Sequence, residues 1–321
     1  MTTSPRIIFL GTPEFAVTTL DAIIKANYNV VAVITAPDKP AGRGQVVTES
    51  AVKQYAVANN IPVLQPEKLK NEDFINELKT YKADLQIVVA FRMLPEVVWN
   101  MPAMGTVNLH ASLLPHYRGA APINWAVING EQQSGITTFK LQHQIDTGNI
   151  LLHQAVPITP NMNAGELHDT LMHLGGELIV KTIDGLIHNT IVEQPQATIV
   201  NESELKHAPK LFKDNTKIDW TTTAQHIHNV VRGLSPYPTA HTVLVDENGI
   251  ETSMKVFATT LIDTHTTSDT VSINTDGKTY FNIHTSHGII GIDSLQLAGK
   301  KRMNTPDFLR GYKLTNNYTL R

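Results

Sequence analysis

An asparagine and a histidine form the first arrangement in this sequence that could do chemistry. Asn108 and His110 lie two positions apart in a run of strand-like residues. Both side chains therefore point to one face of a strand, while Val107 and Leu109 point to the other. An amide beside an imidazole can donate hydrogen bonds to a single carbonyl oxygen. A hydrogen-bonded pair inside the core has the same spacing, so the pattern leaves a structural and a catalytic interpretation open.

A carboxylate is the partner that such a pair would need, and Asp146 is the best candidate. It stands directly before Thr147 and Gly148. An aspartate in that position also favours a simple turn. Spacing alone does not place Asp146 near His110.

The composition excludes several other chemistries. The chain has no cysteine, which removes disulfides, thiolate zinc sites, iron–sulfur clusters and cysteine nucleophiles. His226 and His228 do not share a helical face and no His-Glu-x-x-His sequence occurs, so we predict no metal site. The turn Gly11-Thr12-Pro13 lacks the glycine pattern of a dinucleotide site and is typical of a tight strand-to-helix connection.

Strands and helices alternate through the first half of the chain. Strands are predicted at 6–10, 30–34, 85–90 and 106–110, and helices at 15–25, 50–59 and 71–80. This order predicts an α/β domain whose mostly parallel sheet has helices on both faces. Ligands of such sheets bind at the carboxyl ends of the strands, which is where His110 would lie.

The pattern changes after residue 135. Two strands, 135–141 and 149–156, are predicted to pair through the Asp-Thr-Gly turn, and 163–187 is predicted to form one long helix or two short ones. After a polar stretch come a helix at 222–234 and short strands at 241–245, 253–262, 270–274, 279–285 and 288–296. Many short strands at this spacing predict a small closed or partly open β-barrel.

The charge of the chain is divided unequally. The net charge over 321 residues is −3, but residues 1–205 carry −6 and residues 206–321 carry +3. The asymmetry fits either chance or a basic domain that meets a polyanion. No run of about 18 apolar residues and no signal peptide is found, so we expect a cytoplasmic protein without a membrane partner.

A long loop at 35–48 follows the second predicted strand. It is longer than a strand-to-helix connection needs, and it carries Lys39 and Arg43 among glycines. Composition alone favours a surface insertion, and a ligand-binding loop is the alternative.

Seven segments of this sequence resemble the methionyl-tRNA formyltransferase family. They are residues 6–16, 37–44, 108–115, 117–122, 146–148, 218–220 and 298–301, and they span nearly the whole chain. The resemblance implies a Rossmann-like formyltransferase domain at 1–189, a linker at 190–207 and an OB-like, tRNA-binding barrel at 208–321. One departure is the segment 91–95, which is one residue shorter than the family pattern and has no glycine.

The resemblance also implies the reaction, in which a formyl group moves from 10-formyltetrahydrofolate to the α-amino group of methionine on initiator tRNA. Attack by the neutral amine would create a tetrahedral oxyanion. Asn108 and protonated His110 would donate hydrogen bonds to that oxygen. Asp146 would stabilise the imidazolium and position a water that carries protons. The folate is a co-substrate, so we expect no permanently bound cofactor.

Binding residues follow from the same resemblance. The expected folate neighbours are Val88, Val89, Ala90, Ser112, Leu113, Leu114 and Pro115. The residues expected to meet methionine or tRNA are Phe15, Lys39, Arg43, Lys206, Lys210, Lys213, Lys300, Lys301 and Arg302.

Three other functions compete with this interpretation. A formyltransferase for a small amine, such as an amino sugar or a glycinamide ribonucleotide, would share the catalytic set but would need no basic barrel. An RNA-binding module without activity would not need the catalytic set. A nicotinamide dehydrogenase would need the missing glycine pattern. No apolar stripe stands out in the sequence, so we expect a monomer.

Overall fold

A computed structural model describes residues 4–41 and 46–321 of the protein. These residues form two compact units. The first contains the described residues within 1–119, 135–156 and 169–207, and the second contains 120–134, 157–168 and 208–321. The units interleave along the chain, and the division at 189 and 208 into catalytic domain, linker and tRNA-binding domain stays a prediction.

Eleven strands precede the barrel in the described part of the chain. They are β1 (Arg6–Gly11), β2 (Asn29–Ile34), β3 (Lys39–Ala41), β4 (Val46–Thr48), β5 (Val63–Leu64), β6 (Leu85–Val89), β7 (Thr106–His110), β8 (Arg118–Gly119), β9 (Gln133–Lys140), β10 (Ile150–Pro157) and β11 (His207–Ala208). The predicted strands 6–10, 30–34, 85–90 and 106–110 agree with β1, β2, β6 and β7. Residues 39–41 and 46–48, within the predicted loop, form the short antiparallel pair β3–β4.

The main sheet has the strand order β10-β9-β7-β6-β1-β2-β5. The pairs β1–β2, β1–β6, β6–β7 and β2–β5 are parallel, while β7–β9 is antiparallel. The predicted α/β fold with a mostly parallel sheet is therefore confirmed. The chain leaves β1 toward β2 and β5, then returns to the other side of β1 as β6 and β7. The reversal lies between β1 and β6, and ligands of such sheets bind outside the carboxyl ends of the strands at this point, next to β7.

Six helices occur among the described residues before 190, and several begin at a residue that caps them. They are α1 (Glu14–Lys25), α2 (Ala51–Ala58), α3 (Glu72–Thr80), α4 (Glu96–Trp99), α5 (Pro122–Ile128) and α6 (Ala164–Ile187). Ser50 accepts a hydrogen bond from Lys53 N at 3.0 Å, and Asn71 accepts one from Phe74 N at 3.2 Å. Such caps satisfy amide groups that have no partner within the helix.

Both faces of the main sheet are covered. On one face, α6 approaches so closely that a Cβ on Gly175 would lie 2.8 Å from a methyl carbon of Leu109. On the other face, Val88 belongs to a buried cluster with Phe74 and Leu78 of α3. Leu109 therefore packs into one layer, while Asn108 and His110 face the opposite side of the strand.

The second unit contains an antiparallel, nearly closed barrel. Its strands are β12 (Ala240–Val245), β13 (Glu251–Thr267), β14 (Ser272–Thr275), β15 (Phe281–His284), β16 (His287–Leu297), β17 (Met303–Asn304) and β18 (Thr319–Leu320), and its helices are α7 (Ala224–Leu234) and α8 (Thr305–Gly311). The predicted barrel is confirmed. β13 extends beyond the predicted 253–262 because it stays paired with the long β16 through several register shifts.

The aromatic Trp220 precedes α7 and packs into this barrel. It is buried in the barrel core, and its Nε1 donates a hydrogen bond to Thr242 Oγ1 at 2.8 Å. Among the described residues, no helix is long and apolar enough to cross a membrane.

A glycine at the base of the β9–β10 connection leads to the first prediction. A Cβ added to Gly148 would lie 1.6 Å from the Lys140 carbonyl oxygen, which is a backbone atom and cannot swing away. We expect Gly148→Ala to lower the free energy of unfolding by about 3 kcal/mol or more. Gly311→Ala is the matched control, because nothing lies within 4 Å of its added Cβ. Equal thermal unfolding midpoints for the two variants would show that the backbone near Lys140 accommodates the methyl group without cost.

Candidate active site

His110 is the last residue of β7, at the carboxyl edge of the main sheet. Its Nε2 lies 2.8 Å from the Tyr117 carbonyl oxygen. A carbonyl only accepts, so Nε2 carries a proton and donates it. The other ring nitrogen, Nδ1, lies 3.8 Å from Asp146 Oδ2. The side chains of His110 and Asp146 are only 9% and 12% exposed, so the carboxylate attracts a protonated imidazole through little intervening water.

Asn108 lies two residues before His110, on the same face of β7. Parallel pairing sets it opposite Val88, and antiparallel pairing sets it opposite Phe139. The residue is half-buried, and its side-chain amide makes no hydrogen bond to any residue within 4–41 or 46–321. Among the described residues the amide thus has no hydrogen-bond partner, and it lies close to the carboxyl end of β7.

Asp146 reaches His110 through an unusual backbone conformation. Its φ of 54° is in the left-handed region, which aspartate adopts more readily than most residues. Its Oδ2 accepts a hydrogen bond from Gly119 N at 2.9 Å. The structure thus brings Asp146 and His110 together, which spacing alone did not predict.

The loop after β7 is held by a threonine of β9. Thr137 Oγ1 donates to the Ser112 carbonyl oxygen at 2.7 Å and accepts from Leu114 N at 3.2 Å. The Ser112 hydroxyl donates to His116 O, and Leu114 packs against Phe139. Most of the polar and apolar groups of this expected folate loop are therefore engaged within the protein.

The other expected folate neighbours lie at the end of β6. Val88 and Val89 are buried, while Ala90 is exposed and has a φ of 47°. A left-handed alanine is uncommon, and such conformations occur most often at binding sites and tight turns. The shortened segment that follows is anchored by Arg92, whose guanidinium donates to the Glu67 carbonyl oxygen at 2.9 Å and also to Pro66 O.

The residues expected to meet methionine or the tRNA lie in different environments. Phe15 is 7% exposed on α1 and packs in the core of the first unit, and Lys39 is exposed at the start of β3. Arg43 lies outside the described residues. Lys206 is exposed in the first unit, and the remaining cations are exposed in the second, namely Lys210, Lys213, Lys300, Lys301 and Arg302.

Two of the exposed cations in the second unit lie over aromatic rings. The Lys210 ammonium is 5.4 Å from the centre of the Phe212 ring, and Phe212 itself is 61% exposed. The Arg302 guanidinium is 4.4 Å from the centre of the Phe257 ring. Exposed cations with aromatic neighbours are a pattern found in proteins that bind single-stranded nucleic acid.

Two side chains of the site were not predicted from the sequence. Arg118 donates from Nε and Nη2 to Gln196 Oε1, at 3.0 and 2.7 Å. Burial lowers the pKa of Arg118, and the charges of Asp146 and Glu202 partly oppose that effect. Gln196 lies in the predicted linker and is 3% exposed. A lone glutamine in a polar, proline-containing stretch carries no signal of burial.

Comparison with known sequences identifies close relatives. Residues 5–183 match the family described as Formyl transferase, and residues 210–313 match the family described as Formyl transferase, C-terminal domain. The methionyl-tRNA formyltransferase of Bacteroides fragilis is 50% identical over 316 residues, which cover 98% of each chain. That of Parabacteroides distasonis is 52% identical over 317 residues, with the same coverage.

Solved structures share the fold at lower identity. The sugar 3N-formyl transferase WlaRD, in the presence of dTDP and 5-N-formyl-THF, has a TM-score of 0.65 and 23% identity, covering 93% of this chain and 99% of that one. The N-formyltransferase from Helicobacter canadensis, in complex with folinic acid and dTDP-3-aminofucose, has a TM-score of 0.64 and 23% identity, covering 90% and 98%. Because half of its residues are identical to those of the Bacteroides fragilis enzyme along nearly its whole length, the chain belongs to the methionyl-tRNA formyltransferase family.

Proposed function

We propose that this protein transfers a formyl group from 10-formyltetrahydrofolate to the α-amino group of methionine on initiator tRNA. The observation that carries the proposal is the arrangement of side chains at the carboxyl end of β7. There a shielded His110–Asp146 pair lies beside Asn108, whose amide makes no hydrogen bond to the described residues. We also propose that the enzyme acts as a monomer in the cytoplasm, where charged tRNA is used for translation initiation.

The arrangement suits amine attack on a formyl carbon. In that reaction the amine nitrogen bonds to the formyl carbon, a tetrahedral oxyanion forms and collapses, and the bond from the formyl carbon to the folate nitrogen breaks. The reaction needs donors for the oxyanion and a group that takes a proton from the amine and gives one to the departing folate nitrogen, and it needs no nucleophilic side chain. Asn108 supplies a donor from the sheet edge. His110, in its protonated form, would supply a second donor by exchanging its hydrogen bond to Tyr117 O for one to the oxyanion. Asp146 would hold the ring in place and stabilise its positive charge.

The folate proposal rests on the two segments that flank Asn108. Residues 88–90 end β6 and residues 112–115 follow β7, so both leave the sheet at its carboxyl edge. In the second segment, Ser112 already makes a hydrogen bond and Leu114 already packs within the protein. Its contribution to a folate pocket would therefore come from the rigid backbone and from half-buried Leu113.

The tRNA proposal rests on the exposed cations of the second unit. Phosphates attract lysine and arginine, and bases can stack on exposed aromatic rings such as that of Phe212. Arg43 and Lys39 are proposed to meet the acceptor end, because a guanidinium can pair with phosphate through two hydrogen bonds or stack on an unpaired base. Phe15, being buried, could meet methionine only through a side-chain edge.

An acceptor assay tests the function directly. We expect the protein to formylate methionyl-tRNA with 10-formyltetrahydrofolate as the donor, and to leave free methionine and an amino sugar nucleotide unmodified. The roughly 50% identical relatives named for the tRNA reaction support this acceptor. Formylation of the sugar nucleotide at a higher kcat/KM than methionyl-tRNA would establish the small-amine alternative instead.

The role of Asn108 gives a quantitative prediction. Loss of a single oxyanion donor lowers kcat by about 10²–10³-fold, so we expect a decrease of this size for Asn108→Ala. Asn100→Ala is the control, because Asn100 is exposed at the end of α4. Steady-state kinetics of both variants measure the difference. A kcat for Asn108→Ala close to that of the control would exclude Asn108 from oxyanion stabilisation.

The basic surface gives a prediction about ionic strength. We expect Lys210→Glu combined with Lys213→Glu to raise KM for methionyl-tRNA and to flatten its dependence on salt. Each lost phosphate contact removes about 0.7–0.9 from the slope of log affinity against log salt. The control combines Lys70→Glu and Lys79→Glu, which change two exposed lysines of the first unit. An identical salt slope for the two double variants would remove Lys210 and Lys213 from the tRNA surface.

A further inference from the structure

Next to the candidate active site, every hydrogen-bonding group of the Gln196 side chain has a partner. It is 3% exposed, and its amide nitrogen donates to Asp146 O at 2.9 Å and to Gly148 O at 2.8 Å. Its amide oxygen accepts two hydrogen bonds from the Arg118 guanidinium. Both donors and the acceptor of the carboxamide are therefore satisfied by groups within the first unit.

The two hydrogen bonds from the Gln196 amide nitrogen hold the backbone that carries the Asp146 carboxylate. Asp146 has a left-handed conformation that aspartate adopts more readily than most residues, and hydrogen bonds to its own carbonyl and to a neighbouring carbonyl favour this conformation over the alternatives. Gln196 binds the carbonyl of Asp146 itself and the carbonyl two residues later. On the other side of the same residue, Oδ2 accepts from Gly119 N and faces His110.

We propose that Gln196 is a positioning residue for formyl transfer, which holds the Asp146 carboxylate toward His110 and is itself oriented by Arg118. It touches neither the His110 ring nor, by its burial, a substrate, so its effect passes through Asp146. The proposal rests on the function proposed above.

The chemistry of the side chain explains why a glutamine is required. Two backbone carbonyls must be bound by two N–H donors, while the guanidinium requires an acceptor. An amide is the side-chain group that provides both within one plane. A glutamate has the same shape and accepts from Arg118, but it has no donor and would place a carboxylate oxygen against two carbonyl oxygens. Gln196→Glu therefore removes the interaction with the Asp146 turn while it preserves the volume.

The first experiment separates kcat from KM. A small displacement of a catalytic group can cost up to about 10²-fold in rate. We expect Gln196→Glu to lower kcat by about 10–100-fold, with KM for the folate and for methionyl-tRNA changed by less than about twofold. Gln194→Glu is the matched control, because Gln194 is exposed two residues earlier in the same segment. Wild-type kcat in Gln196→Glu would overturn the proposal.

A double-mutant cycle tests whether the effect passes through Asp146. If it does, Gln196→Glu lowers kcat in the wild-type background but adds no further loss to Asp146→Asn. Independent, multiplicative losses would assign Gln196 to the stability of the unit instead. Arg118→Lys serves as a second variant should Gln196→Glu unfold, since lysine cannot donate from two nitrogens of one plane. Its loss of kcat is expected to disappear in the same background, and a multiplicative loss would again overturn the proposal.

A spectroscopic measurement does not depend on activity. In protein with ¹⁵N-labelled histidine, the ring resonances of His110 are assigned by their disappearance in His110→Gln. We expect Gln196→Glu to move them in the direction that Asp146→Asn moves them, and Gln194→Glu to leave them in place. Unmoved resonances would contradict the positioning role. A wild-type protein that transfers no formyl group to methionyl-tRNA would instead contradict the proposed function and leave the spectroscopic result to be judged on its own.

Discussion

The approach of the Asp146 carboxylate to the His110 imidazole is the contact on which the candidate site depends. The two side chains are nearly buried, and the 3.8 Å between Oδ2 and Nδ1 is too long for a hydrogen bond. Their attraction alone therefore cannot fix the geometry. A carboxylate withdrawn from water needs hydrogen bonds from elsewhere, and here Gly119 N supplies one. Much of the surrounding structure serves to keep these two groups at this separation.

Each partner is held by a different part of the first unit. His110 is fixed by β7, which pairs with β6 on one side and β9 on the other, and by its hydrogen bond to Tyr117 O. Asp146 is fixed by the connection after β9, through Gln196 and the small Gly148. The sheet thus positions His110, and Gln196, in the segment that follows α6, positions Asp146. Thr137 of β9 adds to the support of the histidine side, because it ties down the loop that follows β7.

The sequence predicts the elements of this structure more completely than its contacts. The apolar run at 106–110 predicted β7 and the shared face of Asn108 and His110. This was possible because the alternation of side chains along a strand depends only on residues that are close in the chain. The predicted helices 50–59 and 71–80 agree with α2 and α3, whose first turns are capped by Ser50 and Asn71. The proximity of Asp146 to His110 could not be predicted from spacing, because it depends on how a distant loop folds back on the sheet edge, and only the family resemblance implied it. The burial of Gln196 is still harder to predict from the sequence. Nothing in its neighbours distinguishes it from the exposed Gln194, and its burial follows from the Arg118 and Asp146 groups that it meets.

The choice of acceptor cannot depend on the catalytic set alone. In the proposed reaction Asn108, His110 and Asp146 would act on a formyl carbon and an amine, and these reacting groups are the same whether the amine belongs to a sugar or to an aminoacyl-tRNA. The fold does not determine the acceptor either, because the sugar 3N-formyl transferase WlaRD shares it with a TM-score of 0.65. Discrimination must therefore come from side chains outside the shielded pair. The exposed cations and Phe212 of the second unit have the charge and the aromatic surface that a nucleic acid would use and a small sugar would not.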